Sequence, residues 1–284
     1  MGERNTVYGK SALTSDTKGS RAVAIGLSAL ATQNFTTATD NYNVAVGYSA
    51  GGLVTTGTLN TLIGGLTGDA ITTGTNDTAV GYAALTANQT GINNTAMGSS
   101  ALAAVTADGN TAVGHSAGSG ISSGNYNTAI GLVAMTGHTY TGNFNTSIGY
   151  NANPTAATSA GQFTLGDANV SNLRCNDTSI STLSDSRDKT DIIDSPYGLA
   201  FINTVRPVQY KWESRDGNVK DGSTRIGFLA QELLAATDGN NAILDLVLDE
   251  NPDRLEAKYN NLLPILVKAI QELSAEIETL KSGG

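Results

Sequence analysis

A glycine preceded by an apolar residue returns ten times in the first part of the chain, at Gly9, Gly26, Gly47, Gly64, Gly81, Gly98, Gly114, Gly131, Gly149 and Gly166. Successive glycine numbers differ by 17, 21, 17, 17, 17, 16, 17, 18 and 17. A period this short allows one small supersecondary unit per repeat, and such a unit cannot bury an apolar face alone. It has to stack on its neighbours.

The clearest repeat reads Asn110-Thr111-Ala112-Val113-Gly114-His115-Ser116-Ala117-Gly118. Thr-Ala-Val is a short alternating strand, so the alanine and the larger apolar residue line different faces. The glycine permits a tight bend or a close backbone approach where a side chain would collide. Aromatic residues make up 6% of the chain and charged residues 14%, which is thin material for an ordinary globular core. Stacking removes the difficulty: backbone bonds between equivalent strands and a thin Val/Ile ladder stand in for a large core. If each repeat advances one strand spacing of about 4.8 Å, ten repeats give a rod of roughly 48 Å. The segment 34–41 lengthens one interval by four and is expected to form a loop on one face.

The expected fold is therefore mainly β. A repetitive parallel β-solenoid or β-roll rod, of about ten repeats with the short period above, precedes a small α+β domain that ends in a long heptad helix. The boundaries read as a rod over 1–166, a connector over 167–183 and a C-terminal domain over 184–284.

Charge and composition limit the chemistry. The net charge is -9, and both halves are acidic, with 5 Lys/Arg against 8 Asp/Glu up to residue 183 and 11 against 17 after it. Neither half offers the basic patch that a nucleic-acid partner requires. The single Cys175 rules out an intrachain disulfide and a multi-cysteine zinc site. No run approaches the ~18 apolar residues of a membrane span, and the start lacks the apolar core of a secretion leader. Those features predict synthesis in the cytoplasm, no membrane insertion, and no cofactor or metal.

Asp16, Asp40, Asp69, Asp77, Asp108, Asp167 and Asp177 keep no consistent repeat position. Glycoside hydrolysis needs two carboxyls brought close together, so a polymer-cleaving site is not legible here. His115 and His138 read as solvated residues near turns. The Asn-Thr positions serve either as sugar-binding groups on the outside or as capping and ladder residues.

Beyond residue 184 the sequence changes character, and four of the five prolines and the only tryptophan, Trp212, lie there. Ser195-Pro196 reads as an N-cap and first helical position, opening a helix to about Val205. Pro207–Trp212 and Thr224–Leu229 read as strands, with Asp216-Gly217 in a turn between them and a short helix over Ala230–Ala236. Leu263, Leu266, Ile270, Leu273, Ile277 and Leu280 form an a/d seam of nearly three heptads, expected to dock on its own domain as well. Ile at a with Leu at d favours a dimer by the simple pairing rule.

The rod repeats resemble the head repeats of trimeric autotransporter adhesins and the related repeats of bacteriophage tail fibres, although the adhesin unit is shorter. The C-terminal segment carries a second resemblance. Ser184–Ile192, Ile202–Trp212, Ile226–Glu232 and Tyr259–Ile270 resemble, in order, the blocks of the endosialidase-type intramolecular chaperone of phage tail spikes and fibres, also classed as a self-cleaving serine peptidase. Members trimerise the fibre before them and then cut the bond preceding the serine of a Ser-Asp-x-Arg-x-Lys block. The resemblance implies Ser184 as nucleophile, Lys189 as its base, Leu183-Ser184 as the bond cut, and Asp185 and Arg187 in support. Arg225 stands where some members have histidine.

The implied chemistry is sound. A serine hydroxyl needs an adjacent base, and a lysine serves once burial or a nearby cation favours its neutral form. Arg187 either supplies that cation or binds a carboxylate of a neighbouring chain. The implied partners are two further copies of the chain in a homotrimer, other virion tail proteins, and a host cell-surface glycan or protein receptor, with the product located in a virion tail fibre. Two other classes stay open: a fragment of a bacterial trimeric surface adhesin, and a fibre that degrades polysaccharide.

Overall fold

The computed structural model describes residues 2–170, 172–174, 184–211 and 222–283. Cys175, Asp177, Leu183, Trp212 and the turn at Asp216-Gly217 lie outside the described residues. The chain divides into two compact units, Met1–Val170 and Ser171–Gly284.

The first unit is a parallel β-solenoid. Its ten-stranded sheet runs β1 (Thr6–Tyr8), β3 (Val23–Ile25), β5 (Val44–Val46), β6 (Thr61–Ile63), β7 (Thr78–Val80), β8 (Thr95–Met97), β9 (Thr111–Val113), β10 (Thr128–Ile130), β11 (Thr146–Ile148) and β12 (Phe163–Leu165). Every neighbouring pair is parallel and in register at the repeat, so that Thr78 faces Thr95, Ala79 faces Ala96 and Val80 faces Met97. The glycine closing each strand explains the spacing. From Gly9 to Gly149 these nine glycines hold φ between +121° and +142°. A Cβ on Gly81 would lie 2.4 Å from the carbonyl oxygen of Gly98 in the next coil, so no other residue fits there.

The inward and outward faces differ from the expected Val/Ile core. The central alanines, Ala24, Ala45, Ala79, Ala96, Ala112 and Ala129, are fully buried, and Leu62 takes the same place in β6. Larger apolar groups reach the interior from the corners instead: Leu30, Leu85, Leu102 and Met135, with Val54, Ile71, Val105, Ile121 and Tyr140. The residue before each glycine points out, leaving Ile63 39%, Met97 46%, Val113 37% and Ile130 38% exposed. A three-residue strand has one inward position, and coils stacked this closely leave that position room for little more than a methyl group.

The buried polar residues form a ladder of their own. From Asn43 to Asn110 the polar residue before each strand, asparagine in every coil but that of Asp77, accepts a hydrogen bond from the backbone N–H of its successor one coil on: Asn60 N to Asn43 Oδ1, Asp77 N to Asn60 Oδ1, Asn94 N to Asp77 Oδ1, Asn110 N to Asn94 Oδ1 and Asn127 N to Asn110 Oδ1, all 2.8–3.0 Å. Asn60 Nδ2 donates to the Gly74 carbonyl at 2.9 Å, and Asn127 Nδ2 to that of Gly142 at 3.0 Å. The Asn-Thr motif thus resolves to a ladder, and its asparagines are sealed inside. The 34–41 insertion is no simple loop. It buries Phe35 and returns as β4 (Thr39–Asp40), which pairs with β2 (Gly19–Ser20).

The second unit is a small α/β region. β13 (Val208–Lys211) pairs antiparallel with β14 (Thr224–Gly227), and β15 (Val247–Leu248) with β16 (Glu256–Ala257). The helices are α1 (Leu199–Ile202), α2 (Ala230–Ala236), α3 (Asn241–Leu244) and α4 (Leu263–Ser282). Phe201, Leu233, Leu244, Leu246, Val247, Leu262 and Ile265 make its core.

The helix expected from Ser195 shrinks to one turn. Ser195 Oγ accepts a hydrogen bond from Tyr197 N and donates to its carbonyl, closing a local turn, and Gly198 follows outside the helical region. The first helical N–H, on Leu199, is capped instead by Glu272 of α4 at 2.7 Å. α4 docks on its unit through Ile265 and Ala269, which are buried, while the a/d seam stays out: Leu263 is 65%, Ile270 64% and Leu280 77% exposed.

Candidate functional site

Ser184 opens a short loop that Asp185 folds back on itself. Asp185 accepts a hydrogen bond from Arg187 N at 2.9 Å, capping the single 3-10 turn Ser186–Asp188. That turn reverses the chain and brings Lys189 Nζ to 2.6 Å from Ser184 Oγ. Two residues five apart in sequence are therefore in direct hydrogen-bond contact.

Arg187 is engaged within its own loop. Its guanidinium grips Asp185 in a fork, Nε to Oδ1 at 3.0 Å and a terminal nitrogen to Oδ2 at 2.6 Å. The hydrogen bonds from Arg187 hold the Asp185 carboxyl below the usual carboxylate range. The carboxylate that Arg187 binds in the single chain is that of Asp185, two residues before it. Ser184, Asp185, Arg187 and Lys189 are all exposed. A lysine becomes a useful base when water is stripped from it, and in the single chain this loop faces solvent.

Arg225 lies in β14 opposite Tyr210 of β13. Arg206 pairs with Glu232 of α2, Nε to Oε2 at 3.0 Å, tying β13 to the Ile-Gly-Phe block. Tyr259 packs edge-on against Phe228 with ring centroids 5.4 Å apart. These contacts join three of the four sequence blocks. The Glu272 cap on Leu199 was not legible in the sequence, because its partners lie far apart in the chain and carry no local signal.

In the rod, two of the scattered acids are committed to structure. Asp77 stands in the asparagine ladder, fully buried, where Asn88 Nδ2 donates to Oδ2 at 3.0 Å and Asn94 N to Oδ1 at 2.8 Å. Asp16 accepts from Gly19 N and Gln33 Nε2, both at 2.7 Å. His115 and His138 are exposed. Among the described residues no group of three or more His, Cys, Asp or Glu side chains is placed to hold a metal ion. Among them, too, no helix is long and apolar enough to cross a membrane.

Comparison with known proteins bears on the second unit. The family model described as chaperone of endosialidase matches residues 184–242, so the match opens on Ser184 and takes in three of the four blocks. The block Tyr259–Ile270 lies beyond it. No curated protein matches the chain significantly, and neither does any solved structure.

Proposed function

We propose that this chain is a segment of a homotrimeric phage tail fibre, a receptor-binding rod joined to a chaperone that assembles three copies and then cuts itself away at Leu183-Ser184. The observation that carries the reading is the 2.6 Å contact between Lys189 Nζ and Ser184 Oγ at the first residue of a segment matching the chaperone of endosialidase family.

The chemistry follows from that contact. Lys189, once neutral, takes the hydroxyl proton of Ser184, and Oγ attacks the carbonyl carbon of residue 183. The C–N bond breaks, an ester to Oγ forms and the amino group of Ser184 is released. Water then hydrolyses the ester, giving a carboxylate on residue 183 and restoring the hydroxyl. The reaction is intramolecular and runs once per chain.

Two exposed apolar strips favour association of identical copies. One is the rank of residues before each rod glycine, and the other is the α4 seam. Both are straight and repetitive, so copies related by rotation about a common axis meet like with like. A C-terminal module that first gathers three chains raises their effective concentration, which helps a strand ladder whose pairing is slow to form. Covering the exposed Ser184–Lys189 loop in that assembly would desolvate the lysine and delay cleavage until folding is done.

Denaturing electrophoresis and mass spectrometry of freshly expressed protein are expected to show fragments 1–183 and 184–284, while Ser184→Ala and Lys189→Ala stay whole. A wild-type trimer that remains full length would overturn the cleavage reading.

A further inference from the structure

Two residues before each strand the backbone makes a left-handed corner in every coil, held by Arg4, Arg21, Tyr42, Leu59, Asn76, Asn93, Gly109, Tyr126, Phe144 and Gly161 with φ between +52° and +69°. Glycine and asparagine suit that backbone, whereas a bulky aromatic strains it. Tyr126 and Phe144 nonetheless occupy successive corners, 58% and 63% exposed. The backbone does not ask for them, and the core gains little from them.

Their arrangement is ordered. The rings are parallel within 9° and their centroids are 5.3 Å apart. Tyr126 covers the corner of Gly109, where an added Cβ would meet its ring at 2.6 Å. Phe144 covers Tyr126. The next corner is Gly161, which brings no side chain and around whose Cβ position nothing lies within 4 Å. Among the described residues, then, nothing stacks on the outer face of Phe144.

A short polar ladder runs beside the rings. Asp108 N donates to Asn125 Oδ1 at 3.0 Å, and Asn125 N donates to Asn143 Oδ1 at 2.7 Å. Asn143 is thereby oriented, with its Nδ2 left without a partner among the described residues. At the far end of this ladder, two coils from Phe144, Asp108 Oδ1 accepts from Ile92 N at 2.8 Å. An open aromatic face with an oriented amide donor beside it matches a sugar ring, which has an apolar face of C–H bonds and a rim of hydroxyls.

We propose that Phe144, stacked on Tyr126 and flanked by Asn143, is a platform for one pyranose unit of a surface glycan. This deepens the receptor-binding half of the proposed function and rests on it, but it requires neither the dyad nor cleavage.

The test uses the full chain and saturation-transfer NMR with three probes: methyl β-glucopyranoside, methyl β-galactopyranoside and methyl α-mannopyranoside. Transfer to the ring C–H protons of at least one probe is expected. Phe144→Asn, which places at this corner the residue type that Asn93 supplies elsewhere, should weaken binding by about tenfold or more, with unchanged circular dichroism and melting. Tyr126→Phe should retain it. Transfer from none of the probes overturns the pyranose assignment, and undiminished transfer in Phe144→Asn overturns the site. Oligomeric state and cleavage are measured on the same variant. Their loss would show that the corner serves assembly and would overturn the proposal, whereas failure of Ser184→Ala to block cleavage would touch only the assembly reading.

Discussion

Asp77 shows how a repeat tolerates an exception. Other coils place asparagine there, and its second side-chain atom donates to a carbonyl that a carboxylate cannot satisfy. The compensation lies at Asn88, in the place held by Val54, Ile71, Val105 and Ile121 in other coils. Asn88 Nδ2 donates both to Asp77 Oδ2 and to the Gly91 carbonyl, each at 3.0 Å. Burial is the main cause that pushes the Asp77 carboxyl up to about 7 from 3.8. The folded state thus holds a proton that the unfolded chain releases at lower pH. This part of the stability is complete below about pH 4, falls as pH rises towards 7 and is lost above it, a swing on the order of a few kcal/mol. Melting temperatures measured from pH 4 to pH 8 are expected to show that decline in the wild type. Asp77→Asn with Asn88→Val, which restores the pattern of the other coils, should flatten it. The sequence shows Asp77 in the repeat, but its burial and its pairing with Asn88 need the coil closed.

At the scale of the element, the glycines separate into two kinds that the sequence does not distinguish. Gly81 has φ +141° and faces the Gly98 carbonyl, so Gly81→Ala must force two coils apart. We expect a loss of about 3 kcal/mol or more in denaturant unfolding. Gly161 has φ +69° with open space around it, and Gly161→Ala should cost only about 1 kcal/mol. Strands and their register were legible because one glycine interval recurs almost unchanged and parallel stacking converts sequence period directly into neighbour relations. The helix from Ser195 was not. Its serine closes a two-residue turn, and the helix that does form depends on Glu272 from a distant element. The tail helix was legible from its heptad, but its docking face was not, since Ile265 and Ala269 lie off the seam.

For the whole molecule, the proposed association of copies rests on the apolar strips left exposed on a single chain. Ile270→Asp with Ile277→Asp alters only exposed positions of α4 and should leave the second unit folded. Sedimentation is expected to show loss of the trimer, and electrophoresis an uncut chain, because the Ser184–Lys189 loop then stays in water. A trimer that survives both substitutions would place assembly elsewhere. The sequence by itself determined that this chain stacks: a recurring glycine, a short alternating strand and a polar residue before it admit no other economical burial. It also placed a serine and a lysine where one turn could join them. Only the tertiary structure decided which face of each strand is core, because the space between closely stacked coils, and not hydrophobicity alone, selects alanine for the inside and sends valine, isoleucine and methionine out. It likewise decided that Arg187 answers Asp185 and that Phe144 keeps one face open, since both depend on which groups the folded backbone brings within reach.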